Sequence, residues 1–96
     1  MNNTKISNHA FIGDSIIGED CIIGSGTRIA NARFDGKNVK VAGMDTGRQK
    51  LGAVIGDKVQ TGINVSIDAG TLIGNNSIIG PGAMPSGVIL PNSKIF

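Results

Sequence analysis

Residues 55–90 read IGDKVQ, TGINVS, IDAGTL, IGNNSI, IGPGAM and PSGVIL, which are six consecutive units of six residues. The first position is aliphatic in four of the six units, the second is glycine in four, and the fifth is small or β-branched in the first five. No helix repeats every six residues and an ordinary strand repeats every two, so this period indicates a prism whose sides each hold one unit. The pattern predicts an all-β fold, a parallel β-helix in which the first residue of each unit points into a narrow core.

Similar units occur earlier in the chain, beginning at Ile6, Ile12, Ile17, Ile23 and Ile29, with a step of only five residues after Ile12. We expect the second-position glycine to adopt backbone angles that a side chain would obstruct. We also expect the short unit to tighten one corner, where a ligand can approach the backbone. At three units per coil, the chain should form roughly three and a half to four coils, each ~4.8 Å high.

The composition supports a solenoid. The 96 residues include fifteen Gly and three Phe but no Trp or Tyr. A globular core of this size would normally contain more aromatic side chains, so the core must be narrow and aliphatic. The sequence has no apolar run of about eighteen residues and no secretory leader pattern, so we expect no membrane association and a cytoplasmic location. Residues 1–5 are interpreted as a disordered lead-in and residues 6–96 as a single domain.

The period disappears between residues 34 and 52, which predicts one long excursion loop. Loops of more than about fifteen residues in compact domains are usually functional. Residues 28–50 carry six basic and two acidic side chains, a net charge of +4, while the rest of the chain sums to −2. This concentration suggests an anionic ligand such as a phosphate group. The alternative is a solvated basic loop that only covers the coil below.

His9 is the only side chain in the sequence that titrates near neutral pH without help, so it is the only candidate general base. The alternative is an ordinary surface histidine before a corner. A zinc centre of the open catalytic type needs three protein ligands such as histidines, so we expect no metal. Nucleic acid is also disfavoured, because the basic excess is small and no aromatic platform is present for stacking.

The strings FIGD (11–14), IGED (17–20), IGSGT (23–27), ANARFDGK (30–37) and DTGRQKLGAVIGDKVQTGINVSI (45–67) carry a resemblance. The chain resembles the C-terminal domain of archaeal-type sugar-1-phosphate nucleotidylyltransferases, similar to the bifunctional glucosamine-1-phosphate acetyltransferases, over nearly all of residues 8–90. The resemblance implies a left-handed β-helix, a homotrimer, acetyl-coenzyme A as donor and an amino sugar 1-phosphate as acceptor. The chain would then be an excised or free-standing C-terminal half without the nucleotidylyltransferase domain.

The resemblance also implies roles for single residues. Asn31 matches an asparagine near the acetyl-transfer site, and Lys37 and Lys40 match loop lysines associated with sugar phosphate and catalysis. The family's catalytic base is a histidine; in an alignment without a gap, Asn8 occupies its position and His9 lies one place away. The predicted site therefore comprises His9 and Asn31 for catalysis, Lys37, Lys40, Arg33 and Arg48 for substrate, and Asn31, Gly62 and Gly80 for the cofactor.

Two hypotheses follow. The first is an acetyltransferase domain of a nucleotide-sugar synthesis enzyme, which the basic loop and Asn31 support. The second is a catalytically inactive trimerisation or ligand-binding module. It is supported by the displaced histidine, by Phe11 where the family has a tyrosine, and by Ile22 where the family has a polar residue.

Overall fold

A computed structural model describes residues 3–6, 10–33 and 35–96, with the backbone but not the side chain of Phe11. Its described residues form fourteen two-residue strands and no helix, so none of these residues belongs to a helix that could cross a membrane. The strands are β1 (Lys5–Ile6), β2 (Phe11–Ile12), β3 (Ile16–Ile17), β4 (Ile22–Ile23), β5 (Arg28–Ile29), β6 (Lys40–Val41), β7 (Met44–Asp45), β8 (Val54–Ile55), β9 (Gln60–Thr61), β10 (Ser66–Ile67), β11 (Leu72–Ile73), β12 (Ile78–Ile79), β13 (Val88–Ile89) and β14 (Lys94–Ile95).

Twelve of these strands stack into three parallel sheets, which are the sides of a prism. The first face contains β1, β4, β9, β12 and β14, the second contains β2, β5 and β10, and the third contains β3, β8, β11 and β13. Residues at equal unit positions pair from coil to coil, as Ile17, Ile55 and Ile73 do on the third face. The parallel β-helix predicted from the period is confirmed. We call the edge between the first and second faces the first corner, that between the second and third faces the second corner, and that between the third and first faces the third corner.

The core is a column of first-position side chains backed by fifth-position side chains. The largest of its fully buried members are six isoleucines: Ile23, Ile29, Ile55, Ile67, Ile73 and Ile79. Thr61 takes a first position, and its hydroxyl accepts a hydrogen bond from Gly24 N at 3.0 Å. The hydroxyl of buried Thr27 reaches Gly62 O at 3.2 Å. These bonds offset the desolvation of the two hydroxyl groups, so polar side chains are tolerated in an aliphatic column.

The second-position glycines serve a different purpose from the one expected. None of them lies in the positive-φ region among the described residues. Glycine is required at these positions because neighbouring coils approach each other closely. A Cβ on Gly62 would lie 2.7 Å from Pro81 N in the next coil. The left-handed conformation instead falls at the fourth position, where the chain turns each corner. The residues there are Asp20, Gly26, Lys58, Asn64, Gly70, Asn76, Gly82 and Asn92.

The two irregular steps change this pattern. In the short unit after Ile12, the left-handed residue is Asp14, at the third position, with φ 49°. A second short step, absent from the six-residue reading, follows Pro85: β13 (Val88–Ile89) pairs with β11, so Ile89 rather than Pro91 stacks on Ile73. With β14 above β12, the chain forms four coils and starts a fifth, which exceeds the predicted count.

The N-terminal residues join the first coil earlier than the predicted lead-in implied. Lys5 belongs to β1 and pairs with Ile22 on the neighbouring coil. Thr4 Oγ1 donates a hydrogen bond to Gly18 O at 2.9 Å and accepts one from Cys21 N at 3.3 Å. Thr4 and Lys5 are therefore part of the β-helix.

Candidate functional site

The excursion leaves and rejoins the prism at the second corner, between Ile29 and Ile55. Its two stems are bonded to each other, since Ala32 bridges Lys50 in antiparallel fashion and Leu51 N donates to Asn31 O at 2.8 Å. The returning stem is also bonded to the coil, because Gly52 N donates to Asp14 O at 2.9 Å. The predicted loop is thus an arm with a hydrogen-bonded base.

Beyond the base the arm is a short antiparallel hairpin of β6 and β7. Ala42 and Gly43 connect the strands, both with positive φ, which is the geometry of a tight two-residue hairpin turn. Val39 at the start of the hairpin is fully buried, and Gly70 in the next coil lies directly beneath it; a Cβ on Gly70 would come within 3.0 Å of the Val39 side chain. The hairpin therefore packs against the second corner.

Arg33 and Asp35 form an ion pair on the outgoing stem, with Nη2 and Oδ2 2.6 Å apart. Arg33 Nη1 also donates to Asn38 O at 3.3 Å, and the other carboxylate oxygen of Asp35 accepts from Lys37 N at 3.0 Å. This hydrogen bond from the Lys37 backbone lowers the pKa of Asp35, and the positive charges of Arg33 and Lys37 act in the same direction against partial desolvation. Arg33 is thus held in place by its neighbours in the turn.

Two adjoining grooves lie along the arm. The first, about 760 Å³, runs between the arm and the second corner and is lined by Ala30, Ala32, Arg33, Asp35, Lys40, Asp68 and Ala69. The second, about 560 Å³, lies on the arm and is lined by Arg33, Gly36, Lys37, Asn38, Lys40, Asp45 and Gln49. Two residues line both grooves: Arg33, which is paired with Asp35, and Lys40. In the described part of the chain, neither the Lys37 nor the Lys40 ammonium has a hydrogen-bond or ion-pair partner. These two charges are available to an anionic ligand.

Asn31 lies between the two alanines of the first groove but is not among its lining residues. Its side chain reaches the corner of the short unit, where Nδ2 donates to Asp14 Oδ2 at 3.0 Å. Sequence reasoning did not single out Asp14. The signal was present, since Asp14 belongs to the one five-residue unit of the first half of the chain.

The remaining predicted site residues fall in three places. Arg48 is an exposed residue of the returning stem whose carbonyl accepts from Val39 N at 2.8 Å, and it lines neither groove. Gly62 and Gly80 lie one above the other at the first corner, across the second face from the arm. His9 and Asn8 are outside the described residues. Within a single chain, the structure therefore brings Arg33, Lys37 and Lys40 together but separates them from Gly62 and Gly80.

Among the described residues, no group of His, Cys, Asp or Glu side chains is arranged to hold a metal ion. The charged residues that line the grooves are Arg33, Lys37 and Lys40 together with three aspartates. The three basic side chains suit a ligand that carries phosphate, which lysine and arginine bind through charge-assisted hydrogen bonds.

Comparisons with known proteins agree with the fold and with the resemblance. Residues 52–84 match the family model described as bacterial transferase hexapeptide (six repeats). The chain is 50% identical over 88 residues to the bifunctional sugar-1-phosphate nucleotidylyltransferase/acetyltransferase of Sulfurisphaera tokodaii, covering 88% of this chain and 22% of that protein. It is 49% identical over 100 residues to the bifunctional protein GlmU of Methanococcus vannielii and 45% identical to that of Methanococcus maripaludis strain C7, covering 100% of this chain and 24% of each relative.

The stacking of six-residue units on three parallel faces defines a hexapeptide-repeat domain. The hexapeptide family implies that the parallel β-helix is left-handed. Within that class, the chain is a C-terminal domain of the archaeal type found in bifunctional sugar-1-phosphate nucleotidylyltransferase/acetyltransferases, as its sequence predicted. It spans about a quarter of the length of the relatives that it matches.

Proposed function

We propose that this domain transfers an acetyl group from acetyl-coenzyme A to the amine of an amino sugar 1-phosphate. The observation that carries the proposal is the pair of adjoining grooves that share Arg33 and Lys40. Both proposed ligands carry phosphate, and each groove offers at least one lysine ammonium that has no partner among the described residues. The relative from Sulfurisphaera tokodaii, a nucleotidylyltransferase/acetyltransferase, supplies the reaction class.

In the proposed reaction the amine nitrogen attacks the thioester carbonyl carbon, a C–N bond forms and the C–S bond breaks. The amine loses a proton and the departing thiolate of coenzyme A gains one, so the step needs a group that accepts and returns a proton. We assign this role to His9. Lys37 and Lys40 hold the phosphate of the acceptor, which places its amine for attack; positioning of this kind lowers the barrier because the reactants are already oriented.

We also propose that the active unit is a cyclic homotrimer. The outward side chains of the third face form an aliphatic ladder of Ile16, Val54, Leu72 and Val88, one from each coil. Ile22 and Ile78 give the first face a second apolar patch, although Lys5, Gln60 and Lys94 are also on that face. A closed ring of three identical chains needs two different patches that meet across each interface, and these two faces meet that need.

Such a ring supports a shared site. If the third face of one chain packs against the first face of the next, the second corner of the former lies beside the first corner of the latter. Asn31 and the arm of one chain would then be near Gly62 and Gly80 of the other. The predicted site residues, which a single chain keeps apart, are thereby combined between subunits. On this basis we assign Gly62 and Gly80 to the binding of acetyl-coenzyme A. We assign Arg48, together with Arg33, Lys37 and Lys40, to the acceptor substrate.

The second candidate is a binding and trimerisation module without turnover. Ile22 favours it, because this side chain is 45% exposed on the first face and offers no polar group where the resembled family has one. The single-domain organisation, a cytoplasmic location and the absence of nucleic-acid and membrane partners remain proposals for both candidates.

A thiol-release assay separates the two candidates. Acetyl-coenzyme A is supplied with a panel of amino sugar 1-phosphates, and free coenzyme A is followed with a thiol reagent. Release that depends on one member of the panel is the expected result. No release with any member, from protein that binds coenzyme A, would favour the binding module.

A further inference from the structure

Asp14 joins both stems of the arm to the corner of the short unit. Its backbone carbonyl accepts from Gly52 N of the returning stem at 2.9 Å, and its carboxylate accepts from Asn31 Nδ2 of the outgoing stem at 3.0 Å. The shortened unit makes this possible, since it brings the left-handed residue to the third position. The neighbouring Ser15 hydroxyl continues the contact by accepting from Ala53 N at 3.0 Å.

The chemistry of Asp14 fixes the orientation of the Asn31 amide. A carboxylate can only accept hydrogen bonds, so the atom of Asn31 that faces it must be the NH₂ nitrogen and not the oxygen. The side-chain oxygen of Asn31, Oδ1, is then turned away from Asp14. In the described part of the chain this oxygen has no hydrogen-bond partner. An oriented and unused acceptor on the stem of the arm is suited to a ligand that donates an N–H.

We propose that Asp14 is a positioning residue that presents the Asn31 side-chain oxygen as an acceptor for a substrate N–H group. This inference rests on the proposed function and adds a chemical constraint to it. Asn31 receives a hydrogen bond from an N–H group, and does not act through its amide nitrogen on the thioester oxygen. The N–H group belongs either to the attacking amine or to an amide of the pantetheine arm of coenzyme A, which offer the same donor chemistry.

The pair is tested first without reference to activity. In ¹⁵N-labelled protein, the side-chain NH₂ signals of Asn31 are assigned by their loss in Asn31→Asp. We expect Asp14→Ala to shift these signals, because it removes the carboxylate to which they are bonded. Signals that stay unchanged in Asp14→Ala would overturn the inference, whether or not the domain is an enzyme.

Kinetics and binding then distinguish positioning from general support of the fold. The matched control is Asp57→Ala. Like the Asp14 carboxylate, the Asp57 carboxylate accepts a hydrogen bond from a neighbouring coil, but its donor is the backbone Glu19 N at 2.8 Å and it lies at the third corner. We expect Asp14→Ala to reduce acetyl transfer about tenfold or more, since small displacements of positioned groups can cost up to 10²-fold. Asp57→Ala should leave transfer within twofold of the parent at a temperature where both variants are folded.

The two N–H sources give different results. A fall in kcat with an unchanged dissociation constant for coenzyme A assigns the Asn31 oxygen to the amine, whereas weaker binding of coenzyme A assigns it to the pantetheine arm. Equal losses in Asp14→Ala and Asp57→Ala, or no loss in either quantity, would overturn the inference. The double variant Asp14→Asn, Asn31→Asp restores an amide-to-carboxylate bond and keeps an acceptor oxygen at position 31, so it should recover most of the lost quantity. If the parent binds coenzyme A but has no transferase activity, the proposed function fails, and coenzyme A affinity alone decides the role of Asp14.

Discussion

The backbone conformation at the corners explains why Gly, Asn and Asp occur at the fourth position of the units, which the six-residue pattern did not explain. The pattern assigned special backbone angles to the second position, but the glycines there are needed because neighbouring coils approach within contact distance, as at Gly62 and Pro81. The left-handed residues occupy the fourth position and are mostly Gly, Asn or Asp, the types that adopt this conformation at least cost. A repeat in the sequence identifies which positions are constrained, but not whether the constraint is an angle or a distance.

Lys58 is the exception among the fourth-position residues, with φ 58°. Because asparagine tolerates this conformation better, we expect Lys58→Asn to stabilise the protein by about 0.5–1 kcal/mol, a rise in melting temperature of roughly 2–8 °C for a domain of this size. Thermal unfolding followed by circular dichroism measures the change. Lys94→Asn is the control, since Lys94 lies in β14 with ordinary strand geometry and should gain no stability. An equal rise in both variants would point to charge rather than backbone conformation.

His9 is a second prediction at the scale of a single residue. We expect His9→Ala to lower kcat by ~10²- to 10⁴-fold, the usual loss for a general base, and to leave binding of acetyl-coenzyme A nearly unchanged. The matched variant Asn8→Ala should have a much smaller effect on kcat. If activity survives His9→Ala intact, the catalytic assignment is wrong.

Among the elements, the arm was predicted only in outline. Loss of period between residues 34 and 52 indicated that the chain leaves the prism. The net positive charge of residues 28–50 indicated that this loop binds an anionic ligand. The hairpin was not predicted, because its turn is Ala42-Gly43 and not the Asn-Gly pair that marks such turns most strongly. The short step after Pro85 was also missed, since the six-residue reading still placed an apolar residue near the expected position.

The hydrogen bond from Lys37 N to the Asp35 carboxylate should weaken only when the solution is made acidic. The folded-state pKa of Asp35 is lowered, first by the hydrogen bond from the Lys37 backbone and then by nearby positive charge. The contribution of ionised Asp35 to the free energy of unfolding is therefore fully present above the ordinary pKa of 3.8. It is lost as the pH falls through the lower pKa of the folded state. The amide signal of Lys37, followed by NMR between pH 6 and about 2, should move only at the acidic end of this range.

Asp35→Asn removes the titrating group and provides the control. In that variant the Lys37 amide signal should no longer respond with the same midpoint. A midpoint at or above 3.8 in the parent would contradict the direction of the shift.

The lysines of the arm carry the prediction for ligand binding. We expect the double variant Lys37→Ala, Lys40→Ala to weaken binding of coenzyme A and amino sugar phosphate by about tenfold or more, since hydrogen bonds to charged groups contribute ~1.5–3 kcal/mol each. The control Lys5→Ala, Lys94→Ala removes the same charge from the first face. Calorimetry that finds the arm variant as tight as the parent would place the anionic site elsewhere.

At the scale of the whole molecule, the aliphatic ladder of the third face bears on the trimer. Ile16 is 62% exposed in the single chain, and we expect Ile16→Lys to shift the protein from trimer to monomer, because it places a charge in an apolar contact. Met84→Lys is the matched control. Met84 follows Ala83, whose carbonyl accepts from Ser66 N of the second face at 3.0 Å, and its side chain is 79% exposed, so this variant should remain trimeric. Light scattering at tens of micromolar measures the molar mass of both variants. If the parent protein is a monomer, the proposals of a trimer and of a shared site are both wrong.

The stacking of one isoleucine on the next also has a consequence for how the molecule unfolds. Each coil bonds only to the coils above and below it, so cooperativity passes along the column between nearest neighbours. The inner coils have two such neighbours and the outermost coils have one. Amide hydrogens near Ile23, Ile55 and Ile73 should therefore exchange most slowly with solvent, with fraying from both ends. The arm leaves and rejoins the chain within the second coil, so it is attached where the column opens least often. A ligand that it holds would be released by motion of the arm itself rather than by loss of the coils beneath it.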